Sequence, residues 1–555
     1  MKNFKHSTIY QIYPKSFYDT DGDGIGDLRG ITKKLDYLSL LGVDYIWITP
    51  FYISPQRDNG YDVADYKSID PKFGTMEDFQ LLIEESDKRG IGVILDMVFN
   101  HTSTEHIWFK KALSGEERYK AYYFFQKGSE NNPPTNWESK FGGNAWEYVP
   151  KLQEYYLHLF DKTQADLNWE NEEVRKELYE VLEFWMSKGV KGFRFDVVNL
   201  ISKPEKLEND LEGDGRSFYT DGPHVHEFLK EMNQKTYGKR EGIITIGEMS
   251  STSLSNCVKY TRQDNQELDM VFNFHHLKVD YEDGDKWTLM AFDFMKLKSI
   301  FNSWQVGMEN GGGWSALFWN NHDQPRANSR FGDPVNYPFE SATMLATALH
   351  LMRGTPFIYQ GEEIGMTNPH YNTIDKYKDV ESKNYYNILM EEGRDEKEVI
   401  EVLKAKSRDN GRTPMQWSSD KNGGFTNGEP WIAVSSNYNE VNVAKALEDK
   451  ASIFYYYKKL ISLRKDKAII AEGSYTPILE DNTKVFGYIR DYKEERLIVL
   501  NNFYGQEASV VLDKSFYEGF NVKAPIIFNY PEDPELKEAM VLRPFEAVAF
   551  YLVNI

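Results

Sequence analysis

Eight short apolar runs recur along the chain with amphipathic stretches between them, and this alternation constrains the fold more than any other feature. The runs are Thr8–Ile12, Tyr45–Thr49, Gly92–Val98, Gly192–Asp196, Ile243–Glu248, Met270–Phe274, Ala316–Trp319 and Phe357–Gln360. Each has the length and composition of a buried strand. The segments between them, such as Glu173–Lys188 and Met344–Met352, place apolar residues at helical spacing. Strand and helix repeated eight times predict an α/β fold, a closed parallel (β/α)8 barrel rather than an open sheet.

Two segments break the alternation. Residues 102–171 are rich in aromatic, Pro, Gly and Asn residues and interrupt the barrel after strand three, which predicts a small irregular subdomain leaning over the catalytic face. From residue 472 the pattern becomes alternating strands, including Val485–Arg490, Arg496–Asn501 and Ala547–Leu552, which predict a C-terminal antiparallel β-sandwich. The expected organisation is therefore a barrel from residues 1–101 and 172–471, an inserted subdomain at 102–171 and a β domain at 472–555. The charged, Tyr-rich stretch Asn368–Lys406 after strand eight reads as a helical excursion near the site.

A barrel delivers functional side chains at the C-terminal ends of its strands. Three apolar runs close there on a carboxylate: Asp196 in Gly192-Phe-Arg-Phe-Asp196, Glu248 in Ile244-Thr-Ile-Gly-Glu248 and Asp323 in Phe318-Trp-Asn-Asn-His-Asp323. Glycoside cleavage needs this set, with one carboxylate to attack the anomeric carbon, a second to protonate the leaving oxygen and a third to hold the sugar. Arg194 lies two residues before Asp196, on the same strand face, and is expected to keep that carboxylate ionised. Glu248 must hold a proton, for which apolar surroundings such as Met249 are expected to help.

Composition narrows the partners. A formal net charge of −21 argues against nucleic acid and anionic membranes, so any anion site must come from a local basic cluster. No stretch approaches the roughly 18 apolar residues of a membrane span. The first residues run into a probable strand with no apolar leader, and the single cysteine, Cys257, suits a reducing compartment; a cytoplasmic monomer is expected. The 36 Tyr, 34 Phe and 12 Trp make aromatics unusually frequent; most are expected to fill cores and domain interfaces, and aromatic faces also suit sugar rings.

Five segments occurring in order, Asp96-Met-Val-Phe-Asn100-His101, Gln164-Ala-Asp-Leu-Asn168, Gly192-Phe-Arg194-Phe-Asp196-Val197-Val-Asn199, Gly247-Glu248-Met249 and Asn320-Asn-His322-Asp323, resemble the signature regions of glycoside hydrolase family 13, the α-amylase and α-glucosidase family. The resemblance implies that Asp196 is the nucleophile, Glu248 the acid/base and Asp323 the carboxylate gripping the hydroxyls of the −1 sugar. It also implies that His101 and His322 bind sugar hydroxyls, that Asp58 and Tyr61 belong to the −1 pocket and that Arg412 closes it. No cofactor takes part in the chemistry. The acidic turn Asp19-Thr-Asp21-Gly-Asp23-Gly-Ile25-Gly-Asp27 sets oxygen ligands at alternate positions, although its twelfth position is Gly30 rather than the Glu of an EF-hand. Relatives of this type bind a structural Ca2+ there, through side chains matching Asp19, Asp21, Asp23 and Asp27 and the carbonyl of Ile25.

Within the family, Gln164–Asn168 and the Val197-Val198 pair resemble the α-1,6-acting group and its relatives acting on trehalose derivatives. Thr135–Gly143, Gly213–Pro223, Glu248–Thr252 and Phe272–Tyr281 are most similar to the branch that hydrolyses trehalose 6-phosphate. His275, His276 and Lys278, with Lys286 close by, are expected to turn the lip after strand six toward anion binding, so that a sugar phosphate is the expected substrate. The alternative is an oligo-1,6-glucosidase acting on unphosphorylated isomalto-oligosaccharides.

Overall fold

The computed structural model describes residues 3–555. Its centre is a barrel of eight strands: β1 (Ile9–Ile12), β2 (Tyr45–Ile48), β3 (Gly92–Met97), β4 (Gly192–Phe195), β5 (Ile244–Glu248), β6 (Met270–Phe272), β7 (Ala316–Leu317) and β8 (Thr355–Tyr359). They lie in the order β6-β5-β4-β3-β2-β1-β8-β7, all neighbours parallel. A parallel bridge between Val271 and Ser315 closes the ring. All eight expected strands are present. They read as unbroken apolar runs because a parallel barrel strand is buried on both faces, by its neighbours' side chains inside and by helices outside.

Alternation within β4 shows how the site is built. Phe193 and Phe195 take one face, with Phe195 packing on Tyr237 at 5.9 Å, while Arg194 takes the other and enters the barrel mouth. Beneath Arg194 the mouth is plugged by Trp47, Phe272 and Phe357, with Trp47 to Phe272 centroids at 5.7 Å and Phe272 to Phe357 at 4.5 Å. The plug excludes water from below, so the groups above it interact in a low-dielectric setting.

Helix α1 (Glu172–Ser187) starts where Asn171 caps the Glu173 amide and turns Val174, Leu178, Val181, Leu182 and Trp185 inward. Trp185 donates to Tyr66 O at 2.9 Å and packs on Phe79, which fixes the helix to the barrel.

The chain leaves the barrel through a ribbon in which His101–Ser103 pairs antiparallel with Gln164–Asp166. Between these lies a three-stranded antiparallel sheet, Phe125–Lys127, Glu154–Leu157 and Trp146–Val149, with Glu154–Leu157 in the centre. Trp137, Trp146, Tyr155 and Leu157 form a cluster with Val197 and Leu200. The inserted segment is thus packed directly on the residues that follow Asp196.

Beyond the barrel, helix α2 (Pro338–His350) carries the C-terminal sheet, whose core strands are β9 (Val485–Tyr492), β10 (Glu495–Asn502) and β11 (Ala547–Asn554), paired antiparallel. Arg464 and Arg490 are buried and donate to the carbonyls that end α2: Arg464 Nη2 to His350 O at 2.8 Å and Arg490 Nη1 to Leu351 O at 2.6 Å. A helix end leaves carbonyls without intrahelical partners, and these guanidinium groups satisfy them; Arg490, on β9, thereby joins the two units. Among the described residues no helix is long and apolar enough to cross a membrane.

Candidate active site

The C-terminal ends of the strands open into a pocket of about 250 Å3 lined by Asp58, Tyr61, His101, Asp196, Glu248 and Asp323 together with aromatic and basic side chains. Glu248 is the last residue of β5 and Asp196 follows β4 directly. Asp323 differs from expectation: β7 stops at Leu317, so this carboxylate sits on a loop six residues beyond its strand. Its position is set by neighbours rather than by the ladder.

One guanidinium organises the floor. Arg194, 1% exposed, contacts Asp96 and Asp196 at 2.7 Å each and Glu248 at 2.5 Å, with its carbon 5.0 Å from the Trp47 ring centre. Asp96 is held in turn by Trp47 Nε1 at 3.2 Å and Tyr61 Oη at 2.9 Å. Arg194 acts on Asp196 in the expected direction, but other groups act against it. Burial pushes the Asp196 carboxyl well above the usual carboxylate range; Arg194 pulls it down, but Glu248 and Asp96 push it up again. One guanidinium shared by three buried carboxylates lowers Asp196 without outweighing burial and the two neighbouring carboxylates.

Val197 connects the two catalytic carboxylates. Its φ is +35°, a left-handed conformation costing a β-branched residue about 1–3 kcal/mol, and it directs the Val197 N–H onto Glu248 Oε2 at 3.1 Å. The aromatic and aliphatic cluster of the inserted segment packs on this residue and holds the strained turn. Val197, Phe141, Phe160 and Phe274 give an apolar wall to the pocket that Glu248 lines. Met249, expected in that role, is wholly buried away from the pocket, close to Gly247 and Leu268.

A second ionic network closes the inner end. Asp323 Oδ1 accepts from Arg412 at 2.8 Å and Arg408 at 3.2 Å, and Oδ2 lies 3.2 Å from His322. Burial would raise the Asp323 carboxyl, but His322, Arg408 and Arg412 outweigh it and hold the group far below the usual range, ionised at any working pH. Arg408 also reaches Asp58 at 3.1 Å and Asp379 at 2.5 Å, and Gln164 donates to Asp58 at 3.0 Å. Burial, opposed by Arg408 and Arg412, pushes Asp58 up to about 7. Arg408, not Arg412, is the arginine in the pocket wall; Arg412 lies behind it and grips Asp323 and the carbonyl of His322.

Burial brings His101 down to about 4 and His322 to about 3. His101 lines the pocket with Nε2 3.1 Å from Tyr61 O. His322 is sandwiched between Tyr61 and Tyr13, at 5.1 and 6.0 Å, and its Nδ1 accepts from Gln11 Nε2 at 2.7 Å. It fixes the Tyr61 ring as a flat wall rather than lining the pocket itself.

At the outer rim the expected anion binders separate. Lys278 and Lys286 both line the pocket, but Lys286 is paired with Glu381 at 2.7 Å. His275 and His276 do not reach it. They share a short 3-10 turn with Lys278, yet His275 packs on Trp304 at 4.9 Å and His276 packs on Phe301 while its Nε2 meets Phe318 O at 2.9 Å. Only Phe274, Leu277 and Lys278 of this turn point inward.

Two cations near the rim, Lys140 and Arg216, were missed. Lys140, from the inserted segment, lines the pocket and has Ser250 Oγ at 3.2 Å as its hydrogen-bond partner; burial, then Arg216 and Lys278, bring its ammonium down to about 7. Burial and Arg216 likewise lower Lys278. Among the described residues neither lysine forms an ion pair. Both Lys140 and Arg216 fall inside the segments Thr135–Gly143 and Gly213–Pro223 singled out by resemblance, so the signal was present, but nothing in sequence order places residues 140, 216 and 278 side by side. Arg408, Asp379 and Glu381 were missed for the same reason.

The acidic turn that follows β1 gathers Asp19, Asp21 and Asp27, whose carboxylate oxygens lie within 4.8 Å of one another. Asp23 stands outside that group, with Oδ1 accepting from Ile25 N at 2.8 Å. Three oxygen donors at this spacing fit a hard cation.

The family model for the α-amylase catalytic domain matches residues 11–473, and that for the α-amylase SusG C-terminal domain matches residues 485–549. A trehalose-6-phosphate hydrolase from Bacillus subtilis is 55% identical over 553 residues, 99% of this chain and 98% of that protein. An oligo-1,6-glucosidase from Bacillus cereus is 48% identical over 556 residues, 99% of each. The crystal structure of a trehalose-6-phosphate hydrolase from Bacillus licheniformis matches with a TM-score of 0.95 at 55% identity, covering 99% of this chain and 100% of that one. With the carboxylate floor in place and both units matched, the chain belongs to the α-amylase family, glycoside hydrolase family 13.

Proposed function

We propose that this enzyme hydrolyses trehalose 6-phosphate to glucose and glucose 6-phosphate with retention of configuration. The observation that carries the reading is the rim: Lys140 and Lys278 are partly buried ammonium groups without a carboxylate partner among the described residues, facing the mouth of a sugar-sized pocket beside Ser250 and Ser251. Desolvated, unpaired like charges are costly, and a phosphate dianion would relieve that cost. The likeness to a trehalose-6-phosphate hydrolase at 55% identity supports the same choice.

In this mechanism the unphosphorylated glucose occupies the inner end, where Asp323, Arg408 and Asp58 grip its hydroxyls, and the phosphorylated glucose leaves through the rim. Glu248 gives its proton to the glycosidic oxygen as the C1–O bond breaks, and Asp196 forms a bond to C1. Water then attacks C1, returns a proton to Glu248 and frees Asp196. Arg194 contacts Asp96 and both catalytic carboxylates throughout, so negative charge moves between Asp196 and Glu248 without leaving its reach.

The acidic turn holds Ca2+ through Asp19, Asp21 and Asp27 in a structural role, since none of these residues lines the pocket. No cofactor is assigned to the chemistry. The buried free Cys257 suits a reducing compartment.

The test is turnover of trehalose 6-phosphate, trehalose and isomaltose side by side, with the anomer of the released glucose followed by NMR. The phosphorylated sugar is expected to be strongly preferred and the first product to be the α-anomer. Efficient turnover of isomaltose with none of trehalose 6-phosphate would return the enzyme to the oligo-1,6-glucosidase reading.

A further inference from the structure

Behind the loop that carries Asp323 lies a cavity of about 10 Å3, and three residues that line it hold polar atoms without a protein partner: Asn320 Nδ2 and Oδ1, Arg326 Nε and Glu362 Oε2. Asn320 is 2% exposed and Arg326 1%. Leaving a buried donor or acceptor unmet costs about 1–3 kcal/mol each, so four such atoms around one space need an explanation. None of the three residues lines the substrate pocket.

We propose that this cavity is a binding site for one internal water molecule, held by Asn320, Arg326 and Glu362, and that this water mounts the Asp323 loop on the end of β8. The size selects the ligand, because about 10–15 Å3 admits one water and no organic molecule. The chemistry selects it again. Asn320 Nδ2 and Arg326 Nε donate, Asn320 Oδ1 accepts and Glu362 supplies an oxygen; water alone both accepts and donates twice. A metal cation would face two N–H donors, and an anion would face Glu362. Burial pushes the Glu362 carboxyl up to about 8, and water can pair with either of its protonation states.

The location gives the water its role. Asn320 and Arg326 stand three residues before and three after Asp323. Arg326 Nη1 donates to Gln360 O at 2.5 Å and Nη2 to Thr413 Oγ1 at 3.3 Å; Thr413 follows Arg412, which grips Asp323. Glu362 lies in the turn after β8, with Oε1 accepting from Tyr457 Oη at 2.8 Å. One water bonded to all three joins both flanks of the Asp323 loop to that turn, which β7 itself, ending at Leu317, cannot do. Asn320, Arg326 and Glu362 are therefore positioning residues that act through Asp323.

A crystal structure of the full chain at about 1.5 Å should show an isolated water peak about 2.7–3.2 Å from at least three of the four atoms. No peak, a direct Asn320–Glu362 hydrogen bond, or density at about 2.0–2.5 Å from the oxygens, as a bound cation would give, would each overturn the site. Asn320→Leu, which fills the cavity, should lower kcat by about 5- to 50-fold with KM little changed, on phosphorylated and unphosphorylated substrates alike, because Asp323 is displaced. Glu362→Gln keeps the volume and decides the matter if the leucine variant fails to fold. A lowered Tm with wild-type kcat in both variants would mean that the residues only support the fold, and would overturn the positioning role.

Discussion

On the floor of the pocket Arg194 is shared by Asp96, Asp196 and Glu248, and Arg408 and Arg412 are shared by Asp323 and Asp379, whereas at the rim Lys140 and Lys278 meet no carboxylate. The two regions share one cavity but are built for different ligands. A closed ionic network is complete without substrate, so it is rigid and presents aligned dipoles to a neutral sugar in which charge develops only during reaction. Unpaired ammonium groups are incomplete without substrate, and their interaction energy becomes available only when an anion arrives. Floor groups should therefore govern kcat on any glucoside, and rim groups KM on the phosphorylated one.

Removing floor carboxylates should produce the largest effect. Asp196→Asn and Glu248→Gln are each expected to lower kcat on trehalose 6-phosphate by about 10²- to 10⁴-fold or more, and equally on an unphosphorylated aryl α-glucoside, because both substrates need the same attack. Steady-state kinetics on the purified variants checks this; a loss within tenfold for either would break the assignment.

The rim should respond selectively. A charge-assisted hydrogen bond contributes about 1.5–3 kcal/mol, so Lys140→Ala or Lys278→Ala should raise KM for trehalose 6-phosphate about 10- to 100-fold. Aryl glucoside turnover should stay within about twofold, since the floor is untouched. Equal losses on both substrates would mean that floor and rim are one network.

A smaller and sharper effect concerns pH. Burial and its cationic neighbours bring Lys140 down to about 7 in the free enzyme, so it is charged below that value and loses its charge as pH rises through it. KM for the phosphorylated sugar should therefore rise several-fold from about pH 7 upward, counter to the phosphate, which gains its second charge near pH 6. Lys140→Arg, permanently charged, should flatten the alkaline limb. An unchanged limb would assign the titration elsewhere.

The acidic turn belongs to neither region and serves as a control. Chelation should lower Tm by several degrees and leave kcat of the folded enzyme nearly unchanged, as a calorimetric scan beside an activity assay would record. Loss of activity at unchanged Tm would place the cation in the chemistry.

The amino-acid sequence by itself determined the barrel and the identity of the floor. Each β strand of the barrel is buried on both sides, so its apolar run is written in consecutive residues, and Asp196 and Glu248 follow from where β4 and β5 stop. Pairs two residues apart, such as Arg194 and Asp196, are fixed by strand geometry alone. What only the tertiary structure decided is which side chains from distant segments meet. His275 and His276 sit within three residues of Lys278, yet a 3-10 turn directs them to Trp304 and Phe318 while Lys278 enters the pocket. Lys140 meets Lys278 because the inserted sheet packs on Val197 and Leu200, Lys286 is claimed by a carboxylate 95 residues away, and Arg408 rather than Arg412 reaches the wall. Backbone period is local and survives in the sequence; the pairing of charges is a contact between segments, and only packing selects among the many partners that the sequence allows.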